Sequence, residues 1–149
     1  MARILVVDDE DEVRSALQRR LEREGHTVRT AETAAAGAAA LHEPGQSYDV
    51  VVTDMSIEDA NSGVEMLRAA TERDFLTEVI VLTAYGNVQN AVGCMQMGAF
   101  DYVEKNVPGA DVYELLMLKI DRAMQHRRVC VRTIERLEKA NPAAFGSSE

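Results

Sequence analysis

Five short runs of aliphatic and β-branched residues, each followed by a loop and a stretch of helical periodicity, constrain this chain more than any other feature. Ile4-Leu5-Val6-Val7 is apolar without alternation, the pattern of a strand covered on both faces, as in a parallel sheet. After it, Val13, Ala16, Leu17 and Leu21 recur at helical spacing, and Gly25 stands where a helix would stop. The pattern then repeats. A strand around Thr27 to Thr30 precedes an Ala-rich helix to about Leu41, and Pro44-Gly45 opens a loop before a strand from Tyr48 to Thr53. A helix from about Gly63 to Arg73, a strand from Val79 to Leu82, a helix ending at Gly98 and a strand from Phe100 to Glu104 complete the series. Strands alternating with helices predict an α/β fold: a five-stranded parallel sheet with right-handed crossovers between two helical layers. In the common order 2-1-3-4-5, ligands sit beyond the carboxyl ends of the strands, where the order reverses between strands one and three.

Composition agrees and excludes alternatives. The chain has 149 residues, 46% apolar and 28% charged, enough for one domain with a packed core. No apolar run approaches the ~18 residues of a membrane span. The net charge of −9 argues against a nucleic-acid-binding surface, and the acidic excess lies in residues 1–110, whereas residues 111–149 are near neutral. Cys94 and Cys130 are widely spaced and lack metal-ligand spacing, which favours reduced thiols in a cytoplasm.

Asp8, Asp9, Asp54, Thr83 and Lys105 all fall at the predicted strand ends. Carboxylates gathered at one mouth of a sheet repel one another by about 1 to 4 kcal/mol per close pair, so a cation must compensate. Mg²⁺ suits such a site, since it takes one or two carboxylates, waters and a phosphate oxygen. Asp54, alone at the end of a central strand, is then positioned as a nucleophile toward a phosphoryl group, with Asp8 and Asp9 better placed for the metal. Lys105 supplies a point charge and Thr83 a hydroxyl donor to the phosphoryl oxygens. Taken singly these residues have plainer readings: Asp9 and Glu12 have the form of a helix-capping pair, Tyr102 of a strand aromatic packed on a helix, and His26, His42 and His126 of surface residues without partners.

Four segments together, Val6-Val7-Asp8-Asp9, Val51-Val52-Thr53-Asp54-Met55, Val81-Leu82-Thr83-Ala84-Tyr85-Gly86 and Gly98-Ala99-Phe100-Asp101-Tyr102-Val103-Glu104-Lys105, resemble the receiver domain of two-component response regulators, from about Arg3 to Met124. The third and fourth resemble most the nitrogen-regulator type, whose receivers usually precede an ATPase and a DNA-binding module. The resemblance implies a flavodoxin-like sandwich in which Asp54 takes phosphate from the phosphohistidine of a sensor histidine kinase or phosphotransfer protein. It implies Mg²⁺ held by Asp9, Asp54 and the Ser56 carbonyl, with Asp8 assisting through water, and Lys105 on the phosphoryl group. Thr83 and Tyr102 would form the coupled switch, read by an output domain or downstream protein at helix four, strand five and helix five. Such a domain is no enzyme beyond its own phosphorylation and dephosphorylation at Asp54.

Two positions depart from that family. Lys105 is followed by Asn106 where the family commonly has a cis proline. After Asp54, Ile57 fits, but Glu58 replaces a proline and Gly63 comes one position late, which leaves room for Glu58 or Asp59 near the phosphate and implies an altered hydrolysis rate. The last helix, opening at Asp111 with Glu114, continues to Asn141-Pro142. Ile120, Ala123, Cys130, Ile134 and Leu137 recur at three-four spacing, interrupted by Arg127, as in a short coiled-coil seam through which two copies pair. The expected organisation is a receiver at 1–125, a helical extension at 126–141 and a flexible tail at 142–149. Two rival functions remain open on the sequence: a haloacid-dehalogenase-type phosphatase with Asp9 as nucleophile, and a receiver that only binds proteins and takes no phosphate.

Overall fold

The computed structural model describes residues 1–55, 62–84 and 86–143. Strand and helix alternate throughout: β1 (Arg3–Val7), α1 (Asp11–Arg23), β2 (Thr27–Ala31), α2 (Ala34–His42), β3 (Val50–Asp54), α3 (Ser62–Arg73), β4 (Glu78–Ala84), α4 (Val88–Gln96), β5 (Asp101–Lys105) and α5 (Val112–Ala140). All pairings are parallel, in the order β2-β1-β3-β4-β5, the expected flavodoxin-like arrangement.

The unalternating apolar runs are explained by two cores. Successive strand side chains point to opposite faces. Leu5, Val7, Val51, Val79 and Val81 therefore pack on one side with Leu41 of α2, Met66, Leu67 and Ala70 of α3, and Cys94 of α4. Ile4, Val6, Val50, Val52, Ile80, Leu82 and Val103 pack on the other with Leu17 and Leu21 of α1 and Leu116, Ile120, Ala123 and Met124 of α5. Helix α2 lies so close to the sheet that a Cβ on Gly37 would come 2.9 Å from Val7 Cγ2 and 3.1 Å from Met66 Sδ.

Strand pairing runs one or two residues further than the apolar runs suggest. The register Asp54↔Leu82 and Ala84↔Lys105 places Asp54, Thr83 and Lys105 inside their strands rather than in the loops. A ladder needs backbone groups only, so polar side chains do not end it. At α1 the expected Asp9–Glu12 capping pair does not form: Glu10 is the N-cap residue and makes no side-chain cap bond. Asp8 instead accepts the Glu10 N–H through Oδ1 at 2.8 Å. Thr33 caps α2 through the Ala36 N–H, and Asp111 caps α5 through Tyr113 and Glu114.

The histidines do have partners. His26 Nδ1 accepts the Ala2 N–H, His42 Nδ1 bonds the Ala38 carbonyl, and His126 lies 2.5 Å from Glu78 Oε2 with its ring against Phe100.

Helix α5 also corrects the expected seam. Ile120 and Ala123 are buried in this chain's own core and face no partner. Arg127 is no defect in a stripe, because it turns toward the sheet's amino-terminal edge. Its Nε donates to Asp49 Oδ1 at 2.9 Å and its Nη2 to Asp74 Oδ2 at 3.0 Å, tying α5 to the entrances of β3 and β4. Asp49 in turn accepts the Arg3 N–H. Nη1 is buried without a hydrogen-bond partner among the described residues, so the attachment rests on Nε and Nη2.

Arg127→Ala should lower stability by about 1–2 kcal/mol, the range for losing hydrogen bonds to charged groups in a partly buried setting. The readout is a lower urea midpoint at unchanged slope. An unmoved midpoint would show that the attachment contributes nothing.

Candidate functional site

The carboxyl-terminal edge of the sheet collects the charged strand ends. β1 hands over to Asp8, and β3 and β5 end on Asp54 and Lys105. Because the strands are parallel and adjacent in the order β1-β3-β4-β5, these residues meet at one edge although 97 positions separate Asp8 from Lys105. Lys105 Nζ lies 3.0 Å from Asp54 Oδ2, 3.1 Å from Asp8 Oδ2 and 2.6 Å from Glu10 Oε1. Asp9, Glu10, Asp54, Ala84, Lys105 and Asn106 line a cavity of about 310 Å³ that opens to solvent.

Burial and charge set the protonation of the site. Asp8 is fully buried and Asp54 and Lys105 nearly so. Burial pushes the Asp8 carboxyl above its ordinary value, and the charge of Asp54 adds to the rise. The Glu10 N–H and Lys105 offset this only in part. Burial works against the Lys105 ammonium too, yet its bonds to Glu10 and Asp54 and the charges of Asp8 and Asp54 hold it above its ordinary value. The two directions are consistent: one ammonium is shared among three carboxylates, so the lysine gains more than any single acid does.

Asp8, Asp9, Glu10 and Asp54 each bring a carboxylate oxygen within 4.8 Å of the others. Four carboxylates against one ammonium leave excess negative charge, and an all-oxygen donor set around it suits a hard divalent cation. The residues present therefore fit Mg²⁺. Ser56, Ile57, Glu58 and Asp59 lie outside the described residues.

Thr83 is at the neighbouring strand end, but its hydroxyl donates to the Asn87 carbonyl at 3.1 Å, toward the start of α4, rather than into the cavity. Tyr102 is half-buried against the core beneath α2, α3 and α4, with Lys119 Nζ 5.4 Å from its ring centre. The pairing Thr83↔Glu104 puts Tyr102 and Thr83 on one face of the sheet. After Lys105 the chain turns at Asn106, whose φ of 60° is left-handed, a conformation asparagine tolerates better than most residues. Asn106 thus redirects the chain where the family commonly has a proline. Gly63 donates to the Met55 carbonyl, and a Cβ there would lie 3.1 Å from Met55 Cα, which explains a glycine close after Asp54.

Three residues of this region were not singled out by the sequence. Glu10 reaches Lys105; Arg14 Nη1 donates to the Asp8 carbonyl at 2.6 Å; Glu104 accepts the Gly86 N–H at 3.2 Å, bracing the loop between β4 and α4. Only Glu10 had a signal, its place in the acidic run after the first strand.

In metal-free buffer, Asp8→Asn should be more stable than the parent at neutral pH. The folded carboxyl holds its proton more tightly than the unfolded one, so its stabilising contribution is full below 3.8 and is lost as pH rises through the raised folded value. The advantage of the asparagine variant should therefore shrink as pH falls toward 3.8. Urea midpoints across acidic and neutral pH check this, and a less stable variant at neutral pH would contradict it.

Comparison with known proteins accords with this geometry. The family model of the response regulator receiver domain matches residues 4–117. The photosynthetic apparatus regulatory protein RegA of Rhodobacter capsulatus is 35% identical over 116 residues, covering 78% of this chain and 61% of RegA. The DNA-binding transcriptional regulator NtrC of Proteus hauseri is 35% identical over 125 residues, 84% of this chain and 25% of NtrC. The chain thus spans less than two thirds of either relative. The crystal structure of a response regulator receiver domain protein from Clostridium thermocellum aligns with a TM-score of 0.76 at 33% identity, over 87% of this chain and 99% of that one. Strand order, the acid-lysine cluster and these matches converge: the chain belongs to the response regulator receiver domain family of two-component systems, among nitrogen-regulator-like relatives.

Proposed function

We propose that Asp54 is the phosphoacceptor, taking a phosphoryl group from the phosphohistidine of a sensor histidine kinase or phosphotransfer protein. The observation that carries this reading is the Lys105 ammonium 3.0 Å from Asp54 Oδ2 at the mouth of an acid-lined cavity. An Asp54 carboxylate oxygen attacks phosphorus, the P–O bond forms as the P–N bond breaks, and the imidazole leaves with the electron pair. Lys105 is placed to balance charge on the transferred group. Asp9 and Asp54, with Asp8 and the Ser56 carbonyl, are the groups that would hold Mg²⁺, which when bound neutralises phosphoryl charge.

The resting hydrogen bonds support a switch at Thr83 and Tyr102. To reach a phosphoryl oxygen, the Thr83 hydroxyl must leave the Asn87 carbonyl, which releases its hold on the start of α4. Tyr102 shares that sheet face and follows the vacated space. The α4, β5 and α5 surface is then the one read by an output domain or downstream protein. Free Cys94 and Cys130 favour a cytoplasmic setting, and no helix among the described residues is long and apolar enough to cross a membrane. The receiver spans 1–125, a helical extension 126–141 and a tail 142–149, of which residues 144–149 lie outside the described ones.

Incubation with acetyl phosphate and Mg²⁺ should add the mass of one phosphoryl group to the wild type and nothing to Asp54→Asn. Catalytic turnover abolished by Asp9→Asn would instead support a phosphatase, and no adduct with no turnover a domain that only binds proteins.

Beyond Arg127, the apolar stripe of α5 is reduced to Cys130, Ile134 and Leu137, the last of these half exposed. This short stripe supports weak pairing with a second copy. Light scattering over a concentration series should show the mass rising for the full chain and constant for one ending after Arg132, a cut that keeps the Arg127 attachment. Identical behaviour of the two would remove the pairing.

A further inference from the structure

We propose that Glu10 is a positioning residue that occupies Lys105 in the resting domain and gives it up when a phosphoryl group arrives. This rests on Asp54 as phosphoacceptor and assigns a role to a side chain so far without one. A lysine ammonium has three N–H donors, and Lys105 Nζ faces three carboxylates, those of Glu10 at 2.6 Å, Asp54 at 3.0 Å and Asp8 at 3.1 Å. With two donors on the aspartates and Glu10 paired against the third, a phosphoryl oxygen reaches the ammonium most directly by displacing a carboxylate.

The three differ in how easily they withdraw. The Asp8 side chain has no exposed surface, and its Oδ1 is tied to the Glu10 N–H. Asp54 carries the incoming group and cannot leave. The Glu10 side chain is 53% exposed, so its carboxylate regains water on release and loses little. Glu10 also lines the cavity, where its charge opposes an anionic phosphoryl group and favours a divalent cation. It makes no side-chain cap bond to α1, so replacing it removes no helix cap.

These facts give a signature of opposite signs. With saturating Mg²⁺, beryllium fluoride, a phosphoryl analogue, should bind Glu10→Gln about fivefold more tightly than wild type, the scale of one solvent-facing ion pair. Mg²⁺ alone should bind the variant more weakly, because the acidic cluster loses one charge. Titration calorimetry reads both, and Glu10→Ala should show the same pattern more strongly. Beryllium fluoride binding that is unchanged or weaker in both variants overturns the role of Glu10. Binding that is equally tight in wild type and Asp54→Asn overturns the phosphoacceptor reading instead, so the two failures are told apart.

Discussion

The placement of one ammonium among three carboxylates governs the chemistry of this domain. Lys105 reaches Asp8, Glu10 and Asp54 from the end of β5, and without it those acids would stand unneutralised at a largely buried sheet edge. The balance is incomplete: Asp8 stays harder to ionise than an ordinary aspartate, while the lysine is harder to deprotonate. A site left with surplus negative charge and an all-oxygen donor set suits a cation. The parallel sheet makes this possible, because it aligns the carboxyl ends of non-consecutive strands and lets residues distant in sequence share one mouth.

The opposite edge of the sheet holds a second polar attachment. Arg127 ties α5 to Asp49 and Asp74, before β3 and β4. The long helix is therefore secured along its first half by apolar burial and at Arg127 by ion pairs, while its outer face, with Leu115 and Leu118, and its last turns stay exposed. A displacement of α5 against β5 at the carboxyl-terminal edge of the sheet would be carried by a helix held at both levels of the sheet. Lys119 adds a contact on that route, pairing with Asp101 and donating to the Tyr102 carbonyl.

Much of the fold was legible because burial writes itself into composition. The runs of β1, β3 and β4 lack polar alternation since helices cover both faces, and two interleaved sets of strand residues fill two cores. The cluster of Asp8, Asp9, Asp54 and Lys105 was legible because each stands where an apolar run meets polar residues. Strand ends were less so: hydrogen-bonded pairing extends through Asp54, Thr83 and Lys105, and backbone groups leave no trace in residue type. The capping pattern Asp9–Glu12 misled, because Asp8 supplied the local hydrogen bond instead.

From the sequence alone came the alternation of elements, the acids and lysine at the strand ends, and the resemblance that those segments carry. Only the tertiary structure decided which partners these groups take. Arg127 reads as a break in a stripe until Asp49 and Asp74 are seen beside it, and Glu10 reads as one more solvated acid until Lys105 lies 2.6 Å away. The physical reason is that periodicity records which way a side chain points relative to its own element. Ion pairs across the fold depend on how separate elements are brought together, and no single segment contains that information.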